Sequence, residues 1–323
     1  TKNGHKITFS LKDNDIDIIL LTDPRSYNSG INFGSFEILN YLFFRNKNAI
    51  VIHRINECDE RKNTNYMNTF LRWSNYSADY TIFISNWLKT LNIYQRNKES
   101  KVILNGGDRE IFHENQSLSW DGISPLKIIT HHWSPNLMKG FDVYKDLDEL
   151  ITQSEWASLI EFTYIGNLPK GFFFKKAKHL KPMSGKKLGL ELSRHHVYLT
   201  ASINEPAGMH HIEGLLCGLP IIYRESGALP EYCASYGVPF KNNKYIPALK
   251  KIMENYTLYK KKVSEYPNDS IKMSKEYLYL FDDLLKKRDF IVKNRNLLGS
   301  PILLLKNFLF VFLQIKSVVR FLS

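Results

Sequence analysis

Cysteine is scarce in this chain. Its three residues, Cys58, Cys217 and Cys233, do not form a C-x-x-C pair. Absent such a pair, a zinc site of the usual kind is excluded, and an odd thiol count argues against a disulfide framework. The cysteines read as small buried hydrophobic residues in a reducing compartment, so the cytoplasm is the expected location. Also missing are an RNP-type run, C2H2 spacing and a basic leucine zipper, and the lysines are scattered rather than gathered in one stripe. The formal charge of +12 therefore suits an anionic partner, but no nucleic-acid partner is expected. No glycine-rich phosphate loop precedes any strand of the first half. The chain has no uninterrupted hydrophobic span either. Residues 301–322, PILLLKNFLFVFLQIKSVVRFL, are broken by Lys306, Gln314, Lys316 and Arg320, short of the roughly 20 apolar residues a spanning helix needs. Cations at intervals suit a helix lying on an anionic membrane surface. A terminal helix packed on its own domain answers the same pattern, because so apolar a tail cannot stand in water.

What the chain does contain is a folding composition: 323 residues, 43% hydrophobic, 13% aromatic and 24% charged. That length suits two domains. Apolar runs of strand length alternate with amphipathic runs of helix length, the pattern of parallel sheets with crossover helices. Strands are expected at Lys6–Leu11, Ile16–Thr22, Ala49–Ile55, Tyr80–Ser85 and Lys101–Asn105, then at Leu126–His132, Glu161–Gly166, His196–Ile203 and Pro220–Tyr223. Helices are expected at 35–45, 64–77, 86–91, 142–151, 186–193, 208–217 and 246–255. The polar stretch His113–Ser124 reads as the linker. The expected organisation is α/β, with a first Rossmann-like lobe over 1–123, a second over 124–275, and a helix with an apolar basic tail over 276–323.

Chemistry concentrates in Val197–Glu231, VYLTASINEPAGMHHIEGLLCGLPIIYRESGALPE. A β-rich run ends at Ile203, a loop Asn204–Ala207 follows, and a helix begins near Gly208. Parallel sheets bind ligands beyond the carboxyl ends of their strands, and a helix N-terminus offers free N–H groups to phosphate. Glu205 lies in that loop. Glu213 lies in the second turn of the helix, on one face with His210 and Cys217 and opposite the apolar row Met209, Ile212, Leu216. An ionised carboxylate accepts both hydrogens of a vicinal diol, so this pair suits a sugar nucleotide. Two solvated glutamates at a helix end are the bland alternative. The tandem histidines 131-132, 195-196 and 210-211 do not suggest metal, because adjacent side chains diverge on a strand or a helix. No metal site is expected.

The segment resembles the E-x7-E signature of family-4 glycosyltransferases, which have the GT-B fold. The spacing from Glu205 to Glu213 matches, as do Gly218-Leu219-Pro220, Ser226-Gly227 and Leu229-Pro230-Glu231. Earlier pieces stand in that family's order: His53 after a strand, Ala78-Asp79 before a strand ending in Ser85, Val102-Ile103-Leu104-Asn105-Gly106-Gly107-Asp108 with Phe112, and Lys139-Gly140. The resemblance covers residues 49 to 290.

It implies two Rossmann-like doubly wound lobes facing a cleft, and hexosyl transfer from a nucleoside diphosphate sugar to a glycan or lipid-linked acceptor. It implies retention of configuration and no metal or other cofactor. Assembly of cell-surface polysaccharide or lipopolysaccharide, at the inner face of the membrane, is the implied setting. The role set it implies makes His53 and Glu205 catalytic. Lys139, Ala207, Gly208, Met209, His210 and Glu213 bind the donor: Glu213 takes the ribose hydroxyls, the amides near Gly208 face the sugar and diphosphate, and Lys139 neutralises the leaving group. Taken alone, His53 reads as a core histidine and Lys139 as a surface lysine. Trp133 and Ser134 stand where the family places an arginine, with Asn136 or His132 as hydrogen-bonding substitutes. The charged loop with Arg54, Glu57, Asp59, Glu60, Arg61 and Lys62 is expected to meet the acceptor. The glycine-rich opening of the family's first lobe is absent, so Lys6–Leu11 is expected to be that lobe's second strand and the chain to be truncated at its N-terminus. A catalytically inactive sugar-nucleotide-binding protein is the alternative.

Overall fold

The computed structural model describes residues 4–25 and 32–309. The chain forms two compact units, one from Thr1–Asp59, Thr64–Ile103 and Glu276–Ser323, the other from Glu60–Asn63 and Leu104–Lys275.

The first unit holds a parallel sheet of β1 (Ile18–Leu21), β2 (Ile50–Ile55), β3 (Tyr80–Phe83) and β4 (Glu99–Val102), in that order. The central strands are near-continuous apolar runs, as expected of parallel strands covered on both faces. The helix Ser35–Phe44 crosses from β1 to β2 and buries Ile38, Tyr41 and Leu42 against Ile19, Leu21 and Val51. Its start is fixed where the Gly34 N–H donates to Glu37 Oε2 at 2.8 Å, half of a capping box.

The expected strand Lys6–Leu11 does not form. This segment is irregular, with Ile7 64% and Phe9 75% exposed. Alternating residues make a strand only where a neighbouring edge pairs the backbone, and among the described residues none does so here. The first strand is β1. The chain from Glu276 onward belongs to the same unit. Arg295 pairs with Asp79 at 2.6 Å, Tyr76 donates to the Leu297 carbonyl at 2.8 Å, and Ser35 donates to Asn307 Oδ1 at 2.7 Å. Residues 301–309 are helical; the rest of the apolar tail, 310–323, lies outside the described residues. Among the described residues no helix is long and apolar enough to cross a membrane.

The second unit holds six parallel strands: β5 (Leu126–His132), β6 (Ile160–Gly166), β7 (Lys178–Leu180), β8 (Val197–Thr200), β9 (Ile221–Arg224) and β10 (Gly237–Phe240), ordered β10-β9-β8-β5-β6-β7. Its core runs through Leu126, Phe141, Tyr144, Tyr164, Leu199 and Ile222, all at most 2% exposed. The segment from Leu104 belongs here. Leu118 N donates to the Ser193 carbonyl at 3.0 Å, and Gly107 bridges Asp269. This strand order matters for function. The chain moves outward from β5 to β6 and β7, then returns to the other side of β5 through β8. The β5/β8 boundary is thus the topological switch point, where doubly wound sheets form a ligand crevice beyond the strand ends.

Candidate functional site

Two loops leave the sheet at this switch point, one after His132 and one after Thr200. The first closes on Asn136, whose Oδ1 accepts from Met138 N at 2.8 Å, and turns through Gly140 at φ +94°. A Cβ at Gly140 would stand 2.4 Å from the Ala201 carbonyl oxygen. Only glycine allows both that backbone and that approach. The turn therefore sits directly on the end of β8, and Ile203 N donates to the Met138 carbonyl at 2.8 Å. That seating delivers Lys139 to the second loop.

The second loop is held from beneath by the turn after β9. Ser226 Oγ accepts from Asn204 N at 2.9 Å, and Ala228 N donates to the Glu205 carbonyl at 2.8 Å. Gly227, at φ +60°, leaves no room for a side chain against Glu205. Within the loop, Asn204 is left-handed at φ +51° and Ala207 stands at φ +157°. Asn105 Nδ2 donates to the Ala207 carbonyl at 3.0 Å. Such backbone persists only where neighbours over-determine it, as at ligand sites. The helix Met209–Leu216 follows, and its N-cap Gly208 has no side chain to occupy the free N–H groups of the first turn.

Glu205 is 1% exposed. Its Oε2 accepts from Lys139 Nζ at 2.5 Å, and Lys139 is itself buried at 8% exposure. Its Oε1 is buried without a hydrogen bond among the described residues, with Arg61 Nε 4.0 Å away. Burial alone would raise this carboxyl, but the charges of Lys139 and Arg61 outweigh it and hold Glu205 below the usual carboxylate range. The site therefore presents an ionised, dry carboxylate with one oxygen still able to accept. That is no solvated glutamate.

Glu213 stands on the same helix, one oxygen bonded to His131 Nε2 at 2.7 Å. His210 is buried and linked to Thr200 Oγ1 at 2.9 Å; burial first, then the neighbouring His132, keeps it well below the usual imidazole range. Ile212 and Leu216 are buried as the apolar row requires, whereas Met209 is 39% exposed. Glu205, Lys139, Ala207, Gly208, Met209, His210 and Glu213 thus all lie in one unit, on the two loops and the helix they lead into. His53 lies in the other unit. It sits within β2, fully buried, its Nδ1 3.1 Å from Asn75 Nδ2.

Arg61, read from the sequence only as part of a charged loop expected to meet the acceptor, stands at this site in a role the sequence did not signal. Arg61 is the second cation beside Glu205, although Trp133 and Ser134 replace the arginine of the resembling family. A charge delivered from the remote segment Glu60–Asn63 cannot be read from local spacing. Asn136 is committed to its turn, and His132 is bonded to Tyr144 at 2.7 Å in the core. Among the described residues no group of three His, Cys, Asp or Glu side chains could hold a metal ion.

No family model matches this chain, and no curated protein matches it. Solved structures do match. Sucrose-phosphate synthase from Thermosynechococcus elongatus is 12% identical over 84% of this chain and 74% of its own, with a TM-score of 0.64. Anabaena HepE, solved in complex with UDP and glucose, is 14% identical over 83% of this chain and 78% of its own, at 0.61. A glycosyltransferase from Rickettsia africae is 16% identical over 84% of this chain and 77% of its own, at 0.56. At these identities the likeness is one of fold, and the fold of this chain is that of the GT-B glycosyltransferases.

Proposed function

We propose that this chain is a retaining glycosyltransferase that moves a hexosyl unit from a nucleoside diphosphate sugar to a glycan or lipid-linked acceptor. The observation that carries this reading is Glu205: a buried, ionised carboxylate at the switch point, one oxygen neutralised by Lys139 and the other without a hydrogen bond among the described residues. Burying such an oxygen is costly unless a ligand donor completes it. A sugar hydroxyl is a donor of the right kind. In this reading the N–H groups at the helix start near Met209 receive the diphosphate, and Glu213 the ribose diol.

In the proposed reaction the bond between the anomeric carbon and the diphosphate oxygen breaks, and its electron pair leaves with the nucleoside diphosphate. Lys139, with Arg61 as a second positive charge, stabilises that oxygen. The acceptor oxygen bonds the anomeric carbon on the face the diphosphate vacates, and its proton passes to the departing phosphate. No carboxylate need act as nucleophile, and no metal or cofactor is called upon. HepE was solved with UDP-glucose, which makes UDP-sugars the first donors to test, in a thermal-shift panel with GDP-, ADP- and CMP-sugars. A bound donor at 100 times its dissociation constant adds about 2.7 kcal/mol. No shift with any of them overturns the reading.

Glu213→Gln should weaken donor binding by about 1.5–3 kcal/mol for each charge-assisted bond lost, with the melting temperature unchanged. Calorimetry showing undiminished affinity would remove Glu213 from the site.

The proposed setting is the inner face of a membrane, reached through the tail. Ile302, Leu305 and Phe308 are 68%, 58% and 40% exposed, with Lys306 among them. The full chain should float with anionic liposomes at low salt, and a chain ending at Leu298 should not. Equal flotation of the two excludes the tail as anchor.

A further inference from the structure

One of the tandem histidines, His131, touches Glu213. We propose that His131 is a positioning residue that fixes Glu213 for the donor; this rests on the reading of Glu213 as a donor-binding group.

The chain of bonds runs from β8 to the helix. The His131 backbone N–H donates to the Tyr198 hydroxyl oxygen at 3.1 Å, and that hydroxyl lies 3.0 Å from His131 Nδ1. Tyr198 carries one proton, and of the acceptors in its reach His131 Nδ1, at 3.0 Å, is nearer than the His131 carbonyl oxygen at 3.5 Å and takes it. A neutral imidazole whose Nδ1 accepts must carry its hydrogen on Nε2. Nε2 faces Glu213 Oε2 at 2.7 Å. The tyrosine thus sets the tautomer, the tautomer makes the ring a donor, and the donor holds one oxygen of Glu213. The other oxygen, Oε1, has no protein partner among the described residues and is left for ligand. Two ring contacts hold the imidazole in place. Tyr198 meets it edge-on at 5.6 Å between centroids and His210 at 6.3 Å, while Tyr198 is itself wholly buried. A glutamate side chain has three rotatable bonds, and pinning one oxygen removes the freedom that donor binding would otherwise have to freeze.

Second-layer partners of this kind tune a ligand group without touching the ligand. The expected signature is therefore a coupling to Glu213. With UDP as the probe in calorimetry, His131→Ala should weaken binding about tenfold, the worth of one charge-assisted hydrogen bond. His131→Gln, whose amide can still donate to Glu213, should recover most of that loss. In Glu213→Ala the further change of His131→Ala should cost almost nothing, because the acceptor is already gone. Tyr198→Phe, which keeps the ring and loses the hydroxyl, should give a smaller loss of the same sign and serves should His131→Ala fail to fold. Equal affinity of wild type, His131→Ala and Tyr198→Phe overturns the proposal. So do fully additive losses at His131 and Glu213, which mark a general structural role. Wild-type protein that binds no nucleotide sugar fails earlier, at the donor reading itself, and the two failures are told apart by that first titration.

Discussion

Glu205→Ala should destabilise the protein by about 3–5 kcal/mol and abolish sugar transfer. The stability loss follows from what is left behind. Lys139 is 8% exposed and its ammonium bonds Glu205 Oε2 at 2.5 Å, so removing the carboxylate strands a buried cation. Glu205→Gln retains the shape and one acceptor oxygen, and should cost less. Replacing both partners, Lys139→Met with Glu205→Leu, should bring stability back toward wild type, because apolar groups of similar volume replace a buried ion pair at little cost. Donor binding should stay lost in that double variant, which separates the pair's contribution to the fold from its contribution to the site. Urea unfolding beside UDP titration reads both quantities. If Glu205→Ala unfolds at the wild-type urea concentration, the pair is not buried as described.

Acid should unfold this protein near pH 5, well above the usual carboxylate range. Burial is the leading cause that holds His53 down to about 3 and His195, His196 and His211 down to about 4, and it holds His132 and His210 well below the ordinary imidazole value. In the unfolded chain these rings titrate near 6.5. Between that pH and their folded values the unfolded state binds protons that the folded state refuses. Stability is therefore fully present above about pH 6.5 and falls as the pH drops. Each ring contributes up to about 1.4 kcal/mol per pH unit, so six together exhaust a typical stability of about 5–15 kcal/mol within roughly two units. Asp59 and Glu205, whose pKa values are lowered, lose their contribution only below the ordinary carboxylate range. The window from pH 6.5 to 5 thus belongs to the histidines. A circular-dichroism melt that is flat across it would show that the rings charge without unfolding the chain.

His211 illustrates the limit of reading a motif. Its sequence neighbour His210 finds Thr200, but both ring nitrogens of His211 are buried without a hydrogen-bond partner among the described residues, against Tyr232 at 5.1 Å. Nothing in the pair His210-His211 distinguishes these two environments. They differ because adjacent helical positions diverge by about 100°, so that one meets Thr200 at the end of β8 and the other Tyr232 on the helix Leu229–Cys233.

The alternation of β and α was legible because burial imposes its period on the residues themselves. Leu126–His132 is found as expected, and most other strand and helix expectations shifted by only a few residues. Two edge strands, β7 and β10 of three and four residues, were not legible, and Lys6–Leu11 showed a period without a neighbour to pair with. The glutamate spacing and the glycines beside it were equally legible, since the close approaches at Gly140 and Gly227 demand glycine. Only the tertiary structure decided the charge around them. It buried Glu205 on Lys139, brought Arg61 to its other oxygen and set His131 between Tyr198 and Glu213. None of these pairings has a sequence period, because each is made where strand order reverses and residues far apart in the chain meet.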